Sequence, residues 1–141
     1  MIIAVGTTSL RTLESLYWLG IKVSLNPGIE IPALQQWDVY ESPLSGTVMT
    51  CDEALSNLIK WMEDKKLERL FTQTQLLITP GYRFKIVKAL ITNFHQPQST
   101  LLLLVAAAVG SDWKKIYQHA LEHEFRFLSY GDGNLLFITQ G

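Results

Sequence analysis

Residues 2–10, IIAVGTTSL, join a short apolar run to a turn and to the start of a helix. The run at residues 2–5 is apolar and mostly β-branched, which is typical of a buried strand. Residues 6–9 are a glycine and three hydroxyl residues, which favour turns and helix caps. Leucines then recur at helical spacing up to Gly20, which can end a helix. Together with the helices and strands predicted further along the chain, this order predicts a layered α/β or α+β fold.

The rest of the chain mixes predicted helices and strands. Thr50 and Glu53 form a capping box that predicts a helix near residues 50–66. Strands are predicted at residues 75–78 and 84–92, joined as a hairpin by a Pro-Gly turn. The remaining predicted elements are a short strand at Val39-Tyr40, a helix from Ser99 or Thr100 to Gly110, a helix from Ser111 or Asp112 to Glu124, a loop at 126–133 and a strand at 135–139.

Composition indicates a folded domain. The chain has 141 residues, 48% hydrophobic and 18% charged, with a net charge of −1. These values exclude a disordered or strongly charged tail protein, and the low charge suggests that some surface contacts protein. Cys51 is the single cysteine, so no intrachain disulfide forms. The longest apolar run, residues 101–109, is too short to span a bilayer. We therefore expect a cytoplasmic protein with no membrane association.

The helix start at residues 6–9 is a candidate anion site. Backbone N–H groups and the helix dipole favour a negative group there, and Arg11 adds a positive charge. A carboxylate, a phosphate or a ribose suits this chemistry. The alternative is that Thr7 or Thr8 only caps the helix, as helices generally require.

His95 lies between a predicted strand and a predicted helix, where sites of α/β proteins concentrate. A histidine in such a loop titrates near neutral pH and can transfer a proton. His119 and His123 have the i, i+4 spacing of two metal ligands, but Ala120 stands where a zincin motif needs glutamate. An exposed helix face explains this pair better, and no metal site is predicted.

Two further stretches carry polar chemistry. Between Arg69 and Ser111 there are four basic residues, counting Arg69, and no acidic one, a local charge of +4. This pattern suits a polyanion such as RNA or a solvated hairpin equally. Residues 126–133, RFLSYGDG, join an arginine, aromatic rings, a hydroxyl and a carboxylate in one turn. There Asp132 can accept from ribose hydroxyls or bond its own turn.

Several of these segments together resemble the S-adenosylmethionine:tRNA ribosyltransferase-isomerase family of queuosine biosynthesis proteins. Residues 5–15, VGTTSLRTLES, are similar to its first motif. The later motifs are similar at 79–82 (TPGY), 89–95 (ALITNFH), Pro97, 99–101 (STL), Tyr117, Ala120 and 126–132 (RFLSYGD). Several motifs in the order of the family make the resemblance specific.

The resemblance covers only the C-terminal portion of that family's chain. It implies that residues 1–141 are a single fragment of the larger α/β catalytic domain, a mixed layered arrangement of sheet and helices without the family's β-barrel domain. Residues 21–71 diverge from the family pattern and carry an extra helix near 50–66. Apolar surface that faces absent segments would fit the low charge, so we expect self-association through that surface.

The resemblance also implies a reaction. The ribosyl moiety of S-adenosylmethionine is moved to 7-aminomethyl-7-deazaguanine (preQ1) at the wobble position of tRNA, forming epoxyqueuosine with loss of methionine and adenine. S-adenosylmethionine is a substrate, and no cofactor is implied. A base must remove a proton beside the sulfonium, and a basic surface must hold the tRNA. This fragment is expected to need the rest of the family's chain for activity.

The predicted site residues follow from the matched motifs. His95 is the predicted catalytic residue, since it is the matched residue that titrates near pH 7. Substrate contacts are predicted for Thr7, Thr8, Ser9, Arg11, Tyr82, Phe94, Ser129, Tyr130 and Asp132, and tRNA contacts for Arg83, Lys85 and Lys88. The helix-end residues would bind a carboxylate or ribose, the 129–132 segment ribose hydroxyls, and Tyr82 or Phe94 an unstacked base. The alternative is a binding or assembly module that keeps the fold without chemistry.

Overall fold

The apolar run that opens the chain forms the first strand of a three-stranded sheet. In the computed structural model of the protein, the strands are β1 (Ile3–Val5), β2 (Ala89–Asn93) and β3 (Gly133–Phe137), in the order β1-β2-β3. β1 lies parallel to β2, with Ala4 opposite Leu90. β3 lies antiparallel to β2, with Leu136 opposite Leu90. The strand at the start of the chain is as predicted.

The structure describes residues 1–139, which divide into two compact units. Unit 1 comprises residues 1–10 and 77–139 and contains the sheet; unit 2 comprises residues 11–76. The helices are α1 (Thr7–Leu25), α2 (Cys51–Asp64), α3 (Thr100–Val109) and α4 (Trp113–Glu122), with 3-10 turns at Asp38–Tyr40 and Gly110–Asp112. This mixture of sheet and helices confirms the predicted α/β class. No helix within residues 1–139 is long and apolar enough to cross a membrane.

One face of the sheet belongs to the core of unit 1. Ala4, Leu90 and Leu136 on this face are at most 4% exposed, because alternate side chains of a strand point to the same side. Helix α3 contributes further apolar residues to this core and ends at Gly110, whose φ is 61°. Ser99 caps the start of α3 by accepting from a backbone N–H. Both ends of α3 are as predicted.

Unit 2 contains α2 and most of α1. Helix α1 does not end at Gly20, contrary to the prediction, but continues to Leu25. A Cβ at Gly20 would lie 2.6 Å from the carbonyl carbon of Ala54 in α2, so the glycine permits a close approach of two helices and not a helix end. Helix α2 begins with the predicted capping box, in which Thr50 and Glu53 each accept from the backbone N–H of the other.

The predicted hairpin over residues 75–92 is wrong. Of these residues, only those from Ala89 onward form a strand, and its partners are β1 and β3. The preceding segment buries apolar side chains such as Ile78 and Val87 without a strand ladder. The predicted turn is present, with Tyr82 N–H donating to Thr79 O. A periodic apolar pattern indicates which residues are buried, and in residues 75–88 the buried residues do not pair as strands.

Smaller predictions also need correction. Val39 and Tyr40 lie in a 3-10 turn and not in a strand. Helix α4 ends two residues before its predicted end, and Asp112 at its start pairs with Lys115 and makes no side-chain cap. Strand β3 begins and ends two residues earlier than predicted, because Gly133 pairs with the last residue of β2.

Candidate substrate site at the ends of the parallel strands

Two parallel strands end side by side in unit 1. Gly6 follows β1 and donates its N–H to Ile91 O in β2 at 2.8 Å, with a φ of 86° that favours glycine. Helix α1 starts directly after Gly6, and the segment with His95 leaves β2 at the same edge of the sheet, because parallel strands point their carboxyl ends the same way. In open α/β sheets, ligands bind at this edge.

The start of α1 presents backbone donors at this edge. Leu10 N–H donates to Gly6 O, so Gly6 holds the N-cap position and the three N–H groups after it precede the helical ladder. The alternative in which Thr7 or Thr8 caps the helix is wrong, because the helix includes both residues. Thr7 is half-buried, whereas Thr8 and Ser9 are exposed. The hydroxyls of these two residues are accessible to a ligand.

Arg11 lies in unit 2 and already has a main-chain partner there. Its Nε donates to Leu76 O at 3.1 Å. Ser15, one turn later, donates to Arg11 O and lies 2.7 Å from Thr74 Oγ1. Within unit 2, these contacts fix residues 74–76 against the helix.

His95 follows β2 and is held by two polar contacts. Its Nε2 lies 3.1 Å from Thr92 Oγ1, and its backbone N–H donates to Tyr117 Oη at 3.0 Å. Thr92 and Tyr117 are each 7% exposed. Burial lowers the pKa of the His95 imidazole, which favours the neutral ring near pH 7. Burial also raises the pKa of the Tyr117 phenol, against the effect of the hydrogen bond from His95.

The loop that precedes β3 folds back onto the end of β2. Asn93 Nδ2 donates to Gly131 O at 3.1 Å, and Leu128 N–H donates to Phe94 O at 2.9 Å. A Cβ at Gly131 would lie 2.7 Å from two carbonyl carbons of the loop, so this tight return needs glycine. The fold thus brings the loop together with the segment that carries His95.

Asp132 stabilises that loop through hydrogen bonds to another of its residues. Its carboxylate accepts from the Arg126 guanidinium at 3.1 Å and from the Arg126 N–H at 2.8 Å. The side-chain and backbone hydrogen bonds from Arg126 hold the pKa of Asp132 below its ordinary value. A carboxylate has further lone pairs, so a ligand hydroxyl can still donate to Asp132. Ser129 and Tyr130 beside it are exposed, Tyr130 by 97%.

Phe94 is a core residue in this structure. It is 2% exposed, and its ring packs against three aromatic rings at centroid distances of 5.4 to 5.7 Å. Those neighbours are Tyr117, Phe125 and Phe127. Phe94 therefore supports the loop and the segment after β2 and presents no ring face to solvent.

Tyr82 and Arg83 lie at the opposite end of β2. They line a cleft of about 680 Å³ together with the end of α3 and Thr139. The residue before Thr139 donates its N–H to Lys88 O, just before β2 begins. A five-residue strand spans roughly 16 Å, and His95 follows its far end. The structure does not bring Tyr82 together with His95.

The basic residues predicted to contact tRNA precede β2 as well. Arg83 and Lys88 are exposed, and Lys85 is half-buried. Arg69, the first basic residue of the stretch without acids, belongs to unit 2. Three of the six lysines and arginines of unit 1 therefore precede β2, and the other three are Lys114, Lys115 and Arg126.

His119 on α4 and His123 directly after it are both exposed, and their ring centroids lie 4.0 Å apart. His123 Nδ1 lies 2.8 Å from His119 O. Over residues 1–139 there is no group of three or more histidine, cysteine, aspartate or glutamate side chains that could hold a metal ion.

Three residues that bond the site segments are absent from the predicted site residues, although all three lie at positions matched to the family motifs. Thr92 and Tyr117 hold His95, and Asn93 holds the loop before β3. The spacing of Thr92 and His95 at the end of a strand is a sequence signal for the first contact. Nothing in the sequence places Tyr117 beside His95, because the two are brought together by tertiary packing.

Comparisons with known proteins give a consistent result. The profile of the family described as queuosine biosynthesis protein matches residues 1–136. The chain is 37% identical over 136 residues to the S-adenosylmethionine:tRNA ribosyltransferase-isomerase of Burkholderia cenocepacia. This alignment covers 96% of this chain and 27% of that protein. It is 53% identical over 78 residues to the protein of that name from Aromatoleum aromaticum, covering 55% of this chain and 22% of that protein.

A solved structure is also similar. The crystal structure of S-adenosylmethionine tRNA ribosyltransferase from Thermotoga maritima aligns with a TM-score of 0.55 and 31% identity, covering 95% of this chain and 32% of that chain. The chain thus spans about a quarter of the length of the curated relatives it matches.

Proposed function

The chain belongs to the queuosine biosynthesis protein family, and on that premise we propose that it forms part of an S-adenosylmethionine:tRNA ribosyltransferase-isomerase. The match across residues 1–136 carries the proposal. The substrates are S-adenosylmethionine and tRNA with preQ1 at the wobble position, and the product is epoxyqueuosine. The reaction uses no cofactor and takes place in the cytoplasm.

His95 is the base in this proposal. The positive sulfur of S-adenosylmethionine acidifies the C–H bonds of the ribosyl carbon attached to it. The imidazole accepts one of these protons, and the electron pair of the broken C–H bond stays on the carbon, where the adjacent sulfonium stabilises it. What supports this role is the position of His95 at the carboxyl end of β2 and the burial that lowers its pKa.

The start of α1 binds the methionine carboxylate or the ribose. The N–H groups that precede the helical ladder and the exposed hydroxyls of Thr8 and Ser9 support this assignment, and Thr7 and Arg11 complete the predicted set. We expect the double substitution Thr8→Val with Arg11→Ala to weaken S-adenosylmethionine binding in the active protein about tenfold or more. Unchanged affinity in a calorimetric titration would remove the helix end from the site.

The remaining predicted contacts fall into two groups. Ser129, Tyr130 and Asp132 receive the ribose hydroxyls at the loop before β3. At the other end of β2, Arg83, Lys85 and Lys88 contact tRNA phosphates. Tyr82 lines the cleft there but is 7% exposed and packs against Phe84, so, as for Phe94, little ring surface is left for a base to stack on. The cleft lined by Tyr82 and Arg83 supports the second group.

A chimaera tests the activity. Residues 1–136 replace the matched segment of the Burkholderia cenocepacia relative, and epoxyqueuosine in preQ1-tRNA is measured by mass spectrometry of the digested nucleosides. We expect the chimaera to be active and the chain alone to be inactive, because the chain covers 27% of that relative. A chimaera that binds both substrates without turnover would instead favour a binding or assembly module.

Two variants of the chimaera test the base. We expect His95→Gln to lower turnover by about 100-fold or more, the usual contribution of general acid–base catalysis, with S-adenosylmethionine affinity retained. His123→Gln, at the exposed residue that follows α4, is the matched control and should keep full turnover. Near-normal turnover of His95→Gln would remove His95 from the mechanism.

We also propose that the chain self-associates through the second face of its sheet. Five apolar side chains on this face are 40–67% exposed: Ile3, Val5, Ile91, Leu135 and Phe137. The strand register sets Val5, Ile91 and Leu135 in one row, and Ile3 and Phe137 on either side of the buried Ala89 in the next row of the same face. Burial of apolar surface between two copies is favourable by about 25 cal/mol per Å².

Sedimentation velocity tests the self-association. We expect a concentration-dependent dimer for the wild-type chain and a monomer for Val5→Lys with Phe137→Lys. Leu121→Lys on α4 is the matched control, since Leu121 and Val5 are both 67% exposed. A wild-type chain that stays monomeric at every concentration would contradict the proposal.

A further inference from the structure

We propose that Thr92 and Tyr117 are positioning residues for His95 and that they leave Nδ1 as the imidazole atom that accepts the substrate proton. The inference rests on the proposed function for the identity of the substrate. The placement of the ring and its tautomer rest on contacts within unit 1 and can be measured without turnover.

Thr92 contacts one of the two ring nitrogens of His95. Its Oγ1 lies 3.1 Å from His95 Nε2. Thr92 is 7% exposed and sits in the central strand, where it pairs with Asn134 of β3. The strand ladder fixes the backbone of Thr92, and a β-branched side chain has few rotamers. The hydroxyl is therefore a rigid partner that sets the orientation of the ring.

Tyr117 fixes the backbone of His95 from α4. Its Oη accepts from His95 N–H at 3.0 Å, and its ring packs against Phe94 and Phe127 at centroid distances of 5.4 and 6.0 Å. An aromatic side chain packed in this way moves little. The residue that carries the imidazole is thus held at its backbone by Tyr117 and at its ring by Thr92.

Nδ1 is the nitrogen that remains available. It makes no hydrogen bond to any residue in the described range 1–139, and His95 is only half-buried. When Nε2 carries the proton and donates it to Thr92 Oγ1, Nδ1 holds the lone pair. Proton uptake at Nδ1 then breaks the C–H bond beside the sulfonium, leaves its electron pair on carbon and gives an imidazolium whose Nε2–H still donates to Thr92.

The surroundings favour the neutral ring before this step. Tyr117 contacts His95, and its phenol is neutral near pH 7 because its ordinary pKa lies near 10 and burial raises it further. Arg126 and Asp132, in the loop bonded to Phe94, pair with each other. No carboxylate among residues 1–139 forms an ion pair or hydrogen bond with His95. A neutral imidazole with a free Nδ1 is the state that a general base requires.

Nitrogen NMR of the chain itself tests the tautomer. Long-range proton–nitrogen spectra at pH 7.5 distinguish a protonated from an unprotonated ring nitrogen, and His95→Gln identifies the His95 signals. We expect the Nε2–H tautomer in the wild type and in Thr92→Ser, and a mixture of tautomers in Thr92→Val. An Nδ1–H tautomer in the wild type overturns the inference even if the chimaera is active, and an Nε2–H tautomer upholds it even if the chimaera is inactive.

Kinetics of the active chimaera test the consequence. We expect Thr92→Val to lower kcat by about tenfold with little change in KM, and Thr92→Ser to restore it, because only the hydroxyl is needed. We expect Tyr117→Phe, which keeps the ring, to lower kcat and to raise the exchange rate of the His95 amide proton. Equal kcat values in Thr92→Val and the wild type would overturn the positioning role of Thr92. If Thr92→Val does not fold, the tautomer of His95 in the wild type and the kcat of Thr92→Ser test that role instead.

Discussion

The two units of the chain stabilise their irregular segments in different ways. In unit 2, side chains on helices donate to backbone oxygens of distant loops. The donors are Arg11, Tyr17, Lys22 and Trp61, and the acceptors are the backbone oxygens of Leu76, Met49, Ala33 and Ile29, respectively. Each such bond contributes about 1 kcal/mol. Together they hold loops that no strand ladder organises within residues 11–76.

In unit 1, the strand ladder organises the backbone, and the polar side chains at the carboxyl end of β2 have another role. Thr92, Asn93 and Tyr117 each bond a group of the candidate site. Polar side chains in unit 2 therefore support the fold, whereas those at the sheet edge of unit 1 position a histidine and a loop. Substitutions in the two units should therefore separate stability from site geometry.

The largest expected effect is a loss of stability in unit 2. Gly20→Ala places a Cβ 2.6 Å from the carbonyl carbon of Ala54, so α1 and α2 must move apart and lose packing. We expect the free energy of unfolding in urea to fall by about 3 kcal/mol. Gly28→Ala is the matched control, because its Cβ would meet only Asn26 Oδ1 at 3.5 Å. Equal losses in the two variants would show that the helices adapt without cost.

The second effect concerns the site loop of unit 1. Gly131→Ala forces a Cβ to within 2.7 Å of two backbone carbonyl carbons. We expect a loss of about 2 kcal/mol, with amide chemical shifts that change in the loop and around His95 but not in α2. Gly133→Ala, whose Cβ would lie 3.7 Å from Thr92 O, should leave those shifts unchanged. Shifts that change throughout residues 51–64 would erase the distinction between the two units.

The sequence predicts well those features that local chemistry determines. The Thr50 capping box and the Ser99 and Gly110 ends of α3 are confirmed, because each depends on a few consecutive residues. The strand before Gly6 is confirmed for the same reason. Each of these features is complete within one turn of helix or one short strand.

Features that depend on distant partners are predicted poorly. Gly20 looks like a helix end, and only the proximity of Ala54 explains it. The apolar residues at 75–88 look like a strand, but the ladder positions beside β2 are taken by β1 and β3. For the candidate site, the sequence indicates His95 and the helix start, whereas the link from His95 to Tyr117 spans 22 residues and comes from packing.

A third effect contrasts two asparagines of the sheet. The Oδ1 of Asn134 is buried and has no hydrogen-bond partner among the residues that the structure describes. A buried unsatisfied acceptor destabilises a fold, so we expect Asn134→Leu to raise the free energy of unfolding by about 1 kcal/mol. Asn93→Leu should lower it by about as much, because Asn93 Nδ2 holds Gly131 O. A loss of stability in Asn134→Leu, measured in urea, would mean that the amide is satisfied in solution.

The smallest effect uses the fact that all three histidines lie in unit 1. Burial lowers the pKa of His95 below its ordinary value of 6.5, so the unfolded chain binds more protons at this residue than the folded chain between the two pKa values. The free energy of unfolding should therefore fall as the pH is lowered from about 7.5 through 6.5, and His95→Gln should reduce this slope. Urea titrations of the wild type and of His95→Gln at several pH values measure this slope. If His95→Gln and the wild type share the same pH dependence, His95 is solvated in the folded chain, and the edge of unit 1 does not prepare a neutral base.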